Sequence, residues 1–215
     1  MCGRAKLSTP GEELAKIFDL EEMPLLEPHW NLAPTQTMAI IREPRRLEFA
    51  RFGFIPSFAR SPKEGTRYLN ARAETVATLS AFRDAFRSRR CLVIVDGFYE
   101  WKTVDKKKQP YLLERPNGVP FALAGVWTTW TSRETGEIID SCAIITKPAK
   151  GVVLELHDRM PLILPSAAWA KWLDMSHDAK DLLETEDFDL QSRPVISRVN
   201  SPKNDDAGCV DPPET

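Results

Sequence analysis

The 215-residue chain contains no C-x-x-C pair: its four cysteines, Cys2, Cys91, Cys142 and Cys209, stand far apart. That spacing indicates neither a zinc site nor a disulfide framework. Long apolar runs are missing as well. No stretch nears the roughly 18–20 residues of a membrane helix, and the N-terminus lacks the apolar segment of a secretion signal. The expectation is a cytoplasmic or nuclear protein with no membrane attachment. Nor is there an excess of positive charge, since 29 Lys and Arg face 31 Asp and Glu for a net charge of −2. This excludes a protein coated uniformly in positive charge for nucleic acid. The balance is uneven, however: residues 1–115 carry 20 basic against 15 acidic residues, and residues 116–215 carry 9 against 16. A local basic face is therefore permitted.

Internal repeats, low-complexity tracts and linkers are also absent, so 1–215 reads as a single domain, with about 200–215 an irregular, turn-rich tail. Short runs rich in β-branched and aromatic residues recur through the middle: TMAIIR, RLEFARFGF, CLVIVDGFYEW, PYLLE, PFALAGVWTTW and DSCAIITK. They are bounded by Pro, Gly and Asn, as strands are. Helical patterns flank them at GEELAKIFDL, LSAFRDAFRSRR, GVVLELH, SAAWAKWLD and AKDLLE. Strands mostly follow strands, which predicts an α+β fold with a largely antiparallel, barrel-like β core and short flanking helices.

Chemistry-bearing residues fall in a few segments. The chain opens MCGR, and removal of Met1 would leave Cys2 with a thiol and a free α-amine on one residue. The intrinsic pKa values of such groups are roughly 8.5 and 7.7–8.0. In YLNARAETV, Asn70 precedes Arg72 by two residues; a strand end capping into a helix and a phosphate- or carboxylate-binding pair both fit that spacing. In VDGFYEW, Asp96 and Gly97 read as a turn. Glu100, between Tyr99 and Trp101, faces one side of a strand while the aromatics face the other. Held among apolar groups, its carboxyl would have a raised pKa suited to proton transfer; a strand-edge salt bridge is the alternative. In ELHDRMPLIL, His157 and Arg159 flank a turn that suits an anionic ligand, although a structural, hydrogen-bonded histidine fits as well. In the proline-stiffened loop FGFIPSFARSP, Phe58 beside Arg60 could stack on unpaired bases or simply pack.

Taken together, MCGR, WNLAPTQ, FGFIPSFARS, LNARAETV, AFRDAFRSRRCLVIVDGFYEW, PFALAGVWTTW, LHDRMPLIL and VNSPKNDDAG resemble, in order and over nearly the whole chain, the SOS response-associated peptidase (SRAP) domain family. Its members protect abasic sites in single-stranded DNA. The resemblance implies that Cys2, Asn70, Glu100 and His157 form the catalytic set. It implies that Arg4, Arg72 and Arg159 line the DNA phosphates, with Phe58 and Trp101 as aromatic contacts. It further implies a covalent thiazolidine between Cys2 and the ring-opened abasic sugar, possible self-removal of Met1, a monomer, and no cofactor or metal. Such a protein would be nucleoid-associated when engaged on DNA, or nuclear in a eukaryote. Two departures stand out: Ser57, Phe58 and Ala59 occupy a loop where tryptophan is common in the family, and Trp30 replaces an Arg-Tyr type pair. Met-Cys-Gly also opens cysteine amidohydrolases of the glutamine amidotransferase type, and a non-enzymatic reader of modified DNA bases is a further alternative. The amidohydrolases are built on a four-layer sandwich whose alternating strands are not apparent here.

Overall fold

The computed structural model describes residues 2–185 and 189–213. Thirteen strands and four short helices occur among them. The strands are β1 (Ala5–Leu7), β2 (His29–Leu32), β3 (Thr37–Glu43), β4 (Arg46–Phe52), β5 (Asn70–Arg72), β6 (Arg90–Val95), β7 (Gly97–Val104), β8 (Lys107–Glu114), β9 (Phe121–Thr131), β10 (Ile138–Pro148), β11 (Arg159–Pro161), β12 (Ile163–Leu164) and β13 (Gln191–Pro194). The helices are α1 (Gly11–Ile17), α2 (Arg83–Ser88), α3 (Gly151–Leu154) and α4 (Ser166–Leu173).

Five strands close on themselves in the order β10-β4-β3-β6-β9, with β9 pairing back to β10. Every seam is antiparallel except β10–β4, a short parallel one at Ser141–Arg51 and Cys142–Phe52. Closure removes the free edges of the sheet and lets short strands enclose a filled interior. That interior is tight. At Gly125 of β9, a Cβ would lie 2.8 Å from Val93 Cγ2 and 2.9 Å from Cys91 Sγ, so glycine is the residue that fits. All six residues of β6 are buried, which explains the continuous apolar run CLVIV: one face fills the barrel and the other is covered. Part of the cover is α4, whose Trp172 donates its indole N–H to the Cys91 carbonyl at 2.9 Å. Arg90 returns the contact through its Nε to the Trp172 carbonyl at 2.7 Å.

The expected α+β architecture with a barrel-like core and short helices is the one observed. Its elements differ locally. CLVIVDGFYEW is two strands in two sheets, because the chain turns at Asp96. LSAFRDAFRSRR yields one short helix, α2, and AKDLLE forms a 3₁₀ helix over Ala179–Glu184. The second sheet runs β13-β8-β7-β1-β2. Asp96 does more than turn the chain. Its buried carboxylate accepts hydrogen bonds from the Ser8 and Thr9 amides at 2.6 and 3.1 Å and from both hydroxyls, and it pairs with Lys6 at 3.1 Å. This knot fixes β1, and with it the N-terminal residues, to the β6–β7 junction.

The C-terminal stretch is tied to the body of the protein as far as Asp211, whose carbonyl accepts the Ile196 amide at 2.8 Å. Asp205 accepts the backbone N–H groups of Trp30 and Asn31 at 2.7 and 2.8 Å, and Cys209 is buried with Tyr99, Leu112, Val195 and Val199. No helix among the described residues is long and apolar enough to cross a membrane.

Candidate active site

Strand β1 lies antiparallel to β7, Ala5 opposite Phe98, and the Tyr99 amide donates to the Arg4 carbonyl at 3.0 Å. The ladder thereby carries residues 2–4 alongside the Tyr99–Trp101 stretch. Alternation along β7 does the sorting. Tyr99 and Trp101 share one face, their rings 6.4 Å apart in a small apolar cluster. Glu100 points to the other face, only 4% exposed. Burial pushes its carboxyl above the usual carboxylate range, and the nearby Asp158 carboxylate pushes it the same way. Cys2 is buried too. Burial raises its thiol pKa first, and the negative charge of Glu100 raises it further. Cys2, Glu100 and His157 therefore form one electrostatic cluster drawn from the N-terminus, β7 and the segment after α3. Both shifts favour the protonated forms, so in the resting site the thiol and the carboxyl each hold their proton.

His157 Nδ1 accepts the backbone N–H of Arg159 at 2.9 Å and lies 2.8 Å from Asp158 Oδ1. One lone pair cannot accept the amide while the same nitrogen donates to the carboxylate. The Arg159 amide is held in β11, whereas the Asp158 side chain is 85% exposed, so the amide contact defines the resting ring, with its proton on Nε2.

Asn70 opens β5, which pairs in parallel with β10, Asn70 opposite Ile144 and Arg72 opposite Thr146. Asn70 and Arg72 therefore share a strand face. Asn70 Oδ1 is buried with no hydrogen-bond partner, so it does not cap the turn that follows. Unpaired buried acceptors are uncommon and costly, and a ligand donor is one resolution. Arg72 is exposed and makes no side-chain hydrogen bond. Among the described residues no hydrogen bond joins the Asn70 oxygen to Cys2, Glu100 or His157.

The other arginines are already engaged. Arg159, 12% exposed, makes a bidentate pair with Glu74, Nη2 to Oε2 at 2.8 Å, and donates to the Thr146 carbonyl at 2.6 Å. A phosphate reaching it must compete with Glu74. Arg4 donates to Asn31 Oδ1 at 2.6 Å and to the Val199 carbonyl at 2.8 Å, and sits 5.7 Å over the Trp101 ring. Trp101 in turn donates its indole N–H to Asn200 Oδ1 at 2.6 Å. One face of that ring thus carries Arg4. Phe58 is 57% exposed on a turn pinned by Trp130, whose Nε1 donates to the Ala59 carbonyl at 2.9 Å. Because Trp130 pairs with Ile139 and Asn70 with Ile144, that turn lies about 16 Å along β10 from Asn70.

Three organising residues escape a reading of the sequence for catalysts: Asp96, Glu74 and Asn31. Asn31 is fully buried, holding Arg4 with its oxygen and the Val199, Ser201 and Asn204 carbonyls with its nitrogen. Their signal is only position inside motifs: Asn31 in WNLAPTQ, Glu74 in LNARAETV, and Asp96 in VDGFYEW, where it reads as a turn. No group of His, Cys, Asp and Glu suited to a metal ion occurs among the described residues.

A closed five-stranded barrel packed with a second sheet, with Cys2 and the Glu100 carboxyl both buried where the two sheets meet the N-terminal residues, defines a class of closed β-barrel proteins. Residues 1–202 match the SOS response associated peptidase (SRAP) family, and the chain belongs to it. It is 35% identical to the abasic site processing protein YoaM of Bacillus subtilis, covering 98% of each chain. It is 27% identical to the abasic site processing protein YedK of Escherichia coli, over 99% of this chain and all of that one. Among solved structures, a protein from Bordetella bronchiseptica superposes with a TM-score of 0.79 at 29% identity, over 91% of this chain and 100% of that one. A protein from Bacteroides thetaiotaomicron superposes with a TM-score of 0.86 at 24% identity over 98% and 99%.

Proposed function

We propose that this protein processes abasic sites in single-stranded DNA by capturing the ring-opened sugar on Cys2. The observation that carries the proposal is the buried Cys2 thiol within the electrostatic reach of the buried Glu100 carboxyl. The names of the relatives support its coarser part, the processing of abasic sites.

Loss of Met1 frees the Cys2 α-amine. The amine attacks the aldehyde carbon to give a carbinolamine, which loses water to form an imine. The Cys2 sulfur then adds to the imine carbon, and its proton passes to the ring nitrogen, closing a five-membered thiazolidine. The sum is aldehyde plus aminothiol giving thiazolidine plus one water, with no change of oxidation state. An internal lysine would stop at the imine; an N-terminal cysteine locks the product.

Glu100, kept partly neutral by burial, donates the proton that the departing water needs and takes one from the amine or thiol. His157, with its Nε2 hydrogen free, assists opening of the sugar or reversal of the adduct. Asn70 offers its unpaired oxygen to the amine or the sugar hydroxyl. Arg72 meets a phosphate directly, and Arg159 does so by trading Glu74 for it. Arg4 with Trp101 forms the wall beside the cysteine, and Phe58 stacks on a base farther along the strand. Self-cleavage of Met1 would use the same Glu100. The protein acts as a monomer, in the cytoplasm on the nucleoid or in a nucleus, and needs neither metal nor cofactor.

The test is covalent capture of an abasic oligonucleotide, read after denaturation. Wild type forms the adduct; Cys2→Ala and a chain with residues left ahead of Cys2 do not. Equal capture by the extended chain would overturn the mechanism, and glutaminase activity without capture would assign the site to amide hydrolysis.

A further inference from the structure

The strand that carries Glu100 continues past the site into a hairpin. β7 and β8 pair from Gly97–Glu114 out to Val104–Lys107, turning at Asp105 and Lys106, both with positive φ (47° and 65°). Four lysines lie on this projection: Lys102, Lys106, Lys107 and Lys108. All four are exposed, and none makes a hydrogen bond or ion pair to a carboxylate. Lysines elsewhere are often neutralised locally, as Lys6 is by Asp96, Lys16 by Glu12 and Lys171 by Asp181. Between residues 102 and 109 only Asp105 opposes the four. In a chain of net charge −2, this is a concentrated positive projection.

Its orientation follows from the register. Glu100 pairs with Tyr111, Lys102 with Gln109 and Val104 with Lys107, so Lys102 and Lys107 continue the face on which Glu100 lies. Lys102 stands about 7 Å along the strand from Glu100, and the tip is roughly 10 Å beyond that. Val104 is the sole large apolar residue exposed there, so the tip offers neither an apolar groove for a peptide nor an aromatic platform for bases. Mobile ammonium groups without planar partners suit a flexible polyanion read by charge alone.

We propose that the β7–β8 hairpin is a phosphate-binding arm for the nucleic-acid backbone, guiding the strand that leaves the Cys2–Glu100 site. The proposal rests on the function above for its ligand, and its own content is the path: a run of phosphates follows the Glu100 face of β7 outward over Lys102 and Lys107, with Lys106 and Lys108 at the tip.

The experiment measures affinity of the full chain for an undamaged single-stranded oligonucleotide by fluorescence anisotropy across a salt series. Wild type is compared with Lys102→Gln/Lys106→Gln/Lys107→Gln/Lys108→Gln and with the four-fold Lys→Arg variant. Each phosphate contact contributes about 0.7 to the slope of log affinity against log salt. Losing two to four contacts should flatten the slope by about 1.4–2.8 in the Gln variant, with melting temperature unchanged, while the Arg variant keeps the wild-type slope. An unchanged slope in the folded Gln variant overturns the proposal and assigns the lysines to another anionic partner, such as an acidic protein. A slope lost equally in the Arg variant overturns it as well, because charge is then not the cause. Using undamaged DNA separates this outcome from the capture chemistry: absence of an abasic adduct in wild type would refute the proposed function while leaving the salt result to decide the arm.

Discussion

At the scale of single residues, Glu100 is the group whose environment says most. An ordinary glutamate titrates near 4.3, and burial holds this one higher in the folded chain. Between the unfolded and folded values the folded state binds more protons, so stability falls as pH rises through that window, and the penalty is complete above the folded value. Glu100→Gln should therefore raise the melting temperature at pH 8 and leave it unchanged at pH 4, where both side chains are neutral. Each kcal/mol recovered corresponds to about 2–4 °C in a chain this size. The same variant should slow adduct formation and remove one limb of its pH profile. A Glu100→Gln protein less stable than wild type at pH 8 would mean the carboxylate is held by net favourable partners and serves as structure. Asn70 gives a second expectation. Its oxygen satisfies nothing in the free protein, so Asn70→Ala should leave the melting temperature within about 1 °C, while the single-turnover rate drops and DNA affinity is retained.

At the scale of elements, the Asp96 knot decides whether β1 is held in place. Removing a buried carboxylate that accepts four hydrogen bonds and pairs with Lys6 leaves several donors unsatisfied, at a cost of about 3–4 kcal/mol. Asp96→Ala should lower the melting temperature by roughly 6–16 °C and reduce adduct formation even at temperatures where the barrel persists. A thermal scan alongside the capture assay checks both. The longer strands were legible in sequence because their β-branched runs carry strong local preference, as CLVIV in β6 and CAIIT in β10 do. β1, β2, β5, β11, β12 and β13 were not, since two to four residues hold no periodicity and these strands exist only through partners distant in the chain. Asp96 beside Gly97 has the local signature of a turn, and nothing local betrays that Ser8 and Thr9 wait 88 and 87 residues upstream. Of the candidate site, Glu100 was readable from alternation with Tyr99 and Trp101. Pairing of Arg159 with Glu74, 85 residues apart, was not, because spacing carries no information on which loops the barrel brings together.

At the scale of the whole molecule, a slightly acidic protein must meet a polyanion through a local surface. Arg72 is exposed without an internal partner, and replacing it with Ala should flatten the salt dependence of DNA binding by about 0.7. Phe58→Ala should weaken binding with the slope intact, because stacking releases no counterions. Identical slopes in wild type and Arg72→Ala would place the phosphates elsewhere. The central claim is narrower: the terminal amine and the thiol of Cys2 act together on one carbon. Intact mass of the purified protein, before and after incubation with an abasic oligonucleotide, tests it most directly. The expected result is a chain lacking Met1 that shifts by the mass of the oligonucleotide less one water, with the product surviving denaturation and its Cys2 thiol no longer open to alkylation. A chain that keeps Met1 and forms the same adduct, or an adduct whose Cys2 thiol still alkylates, would contradict it.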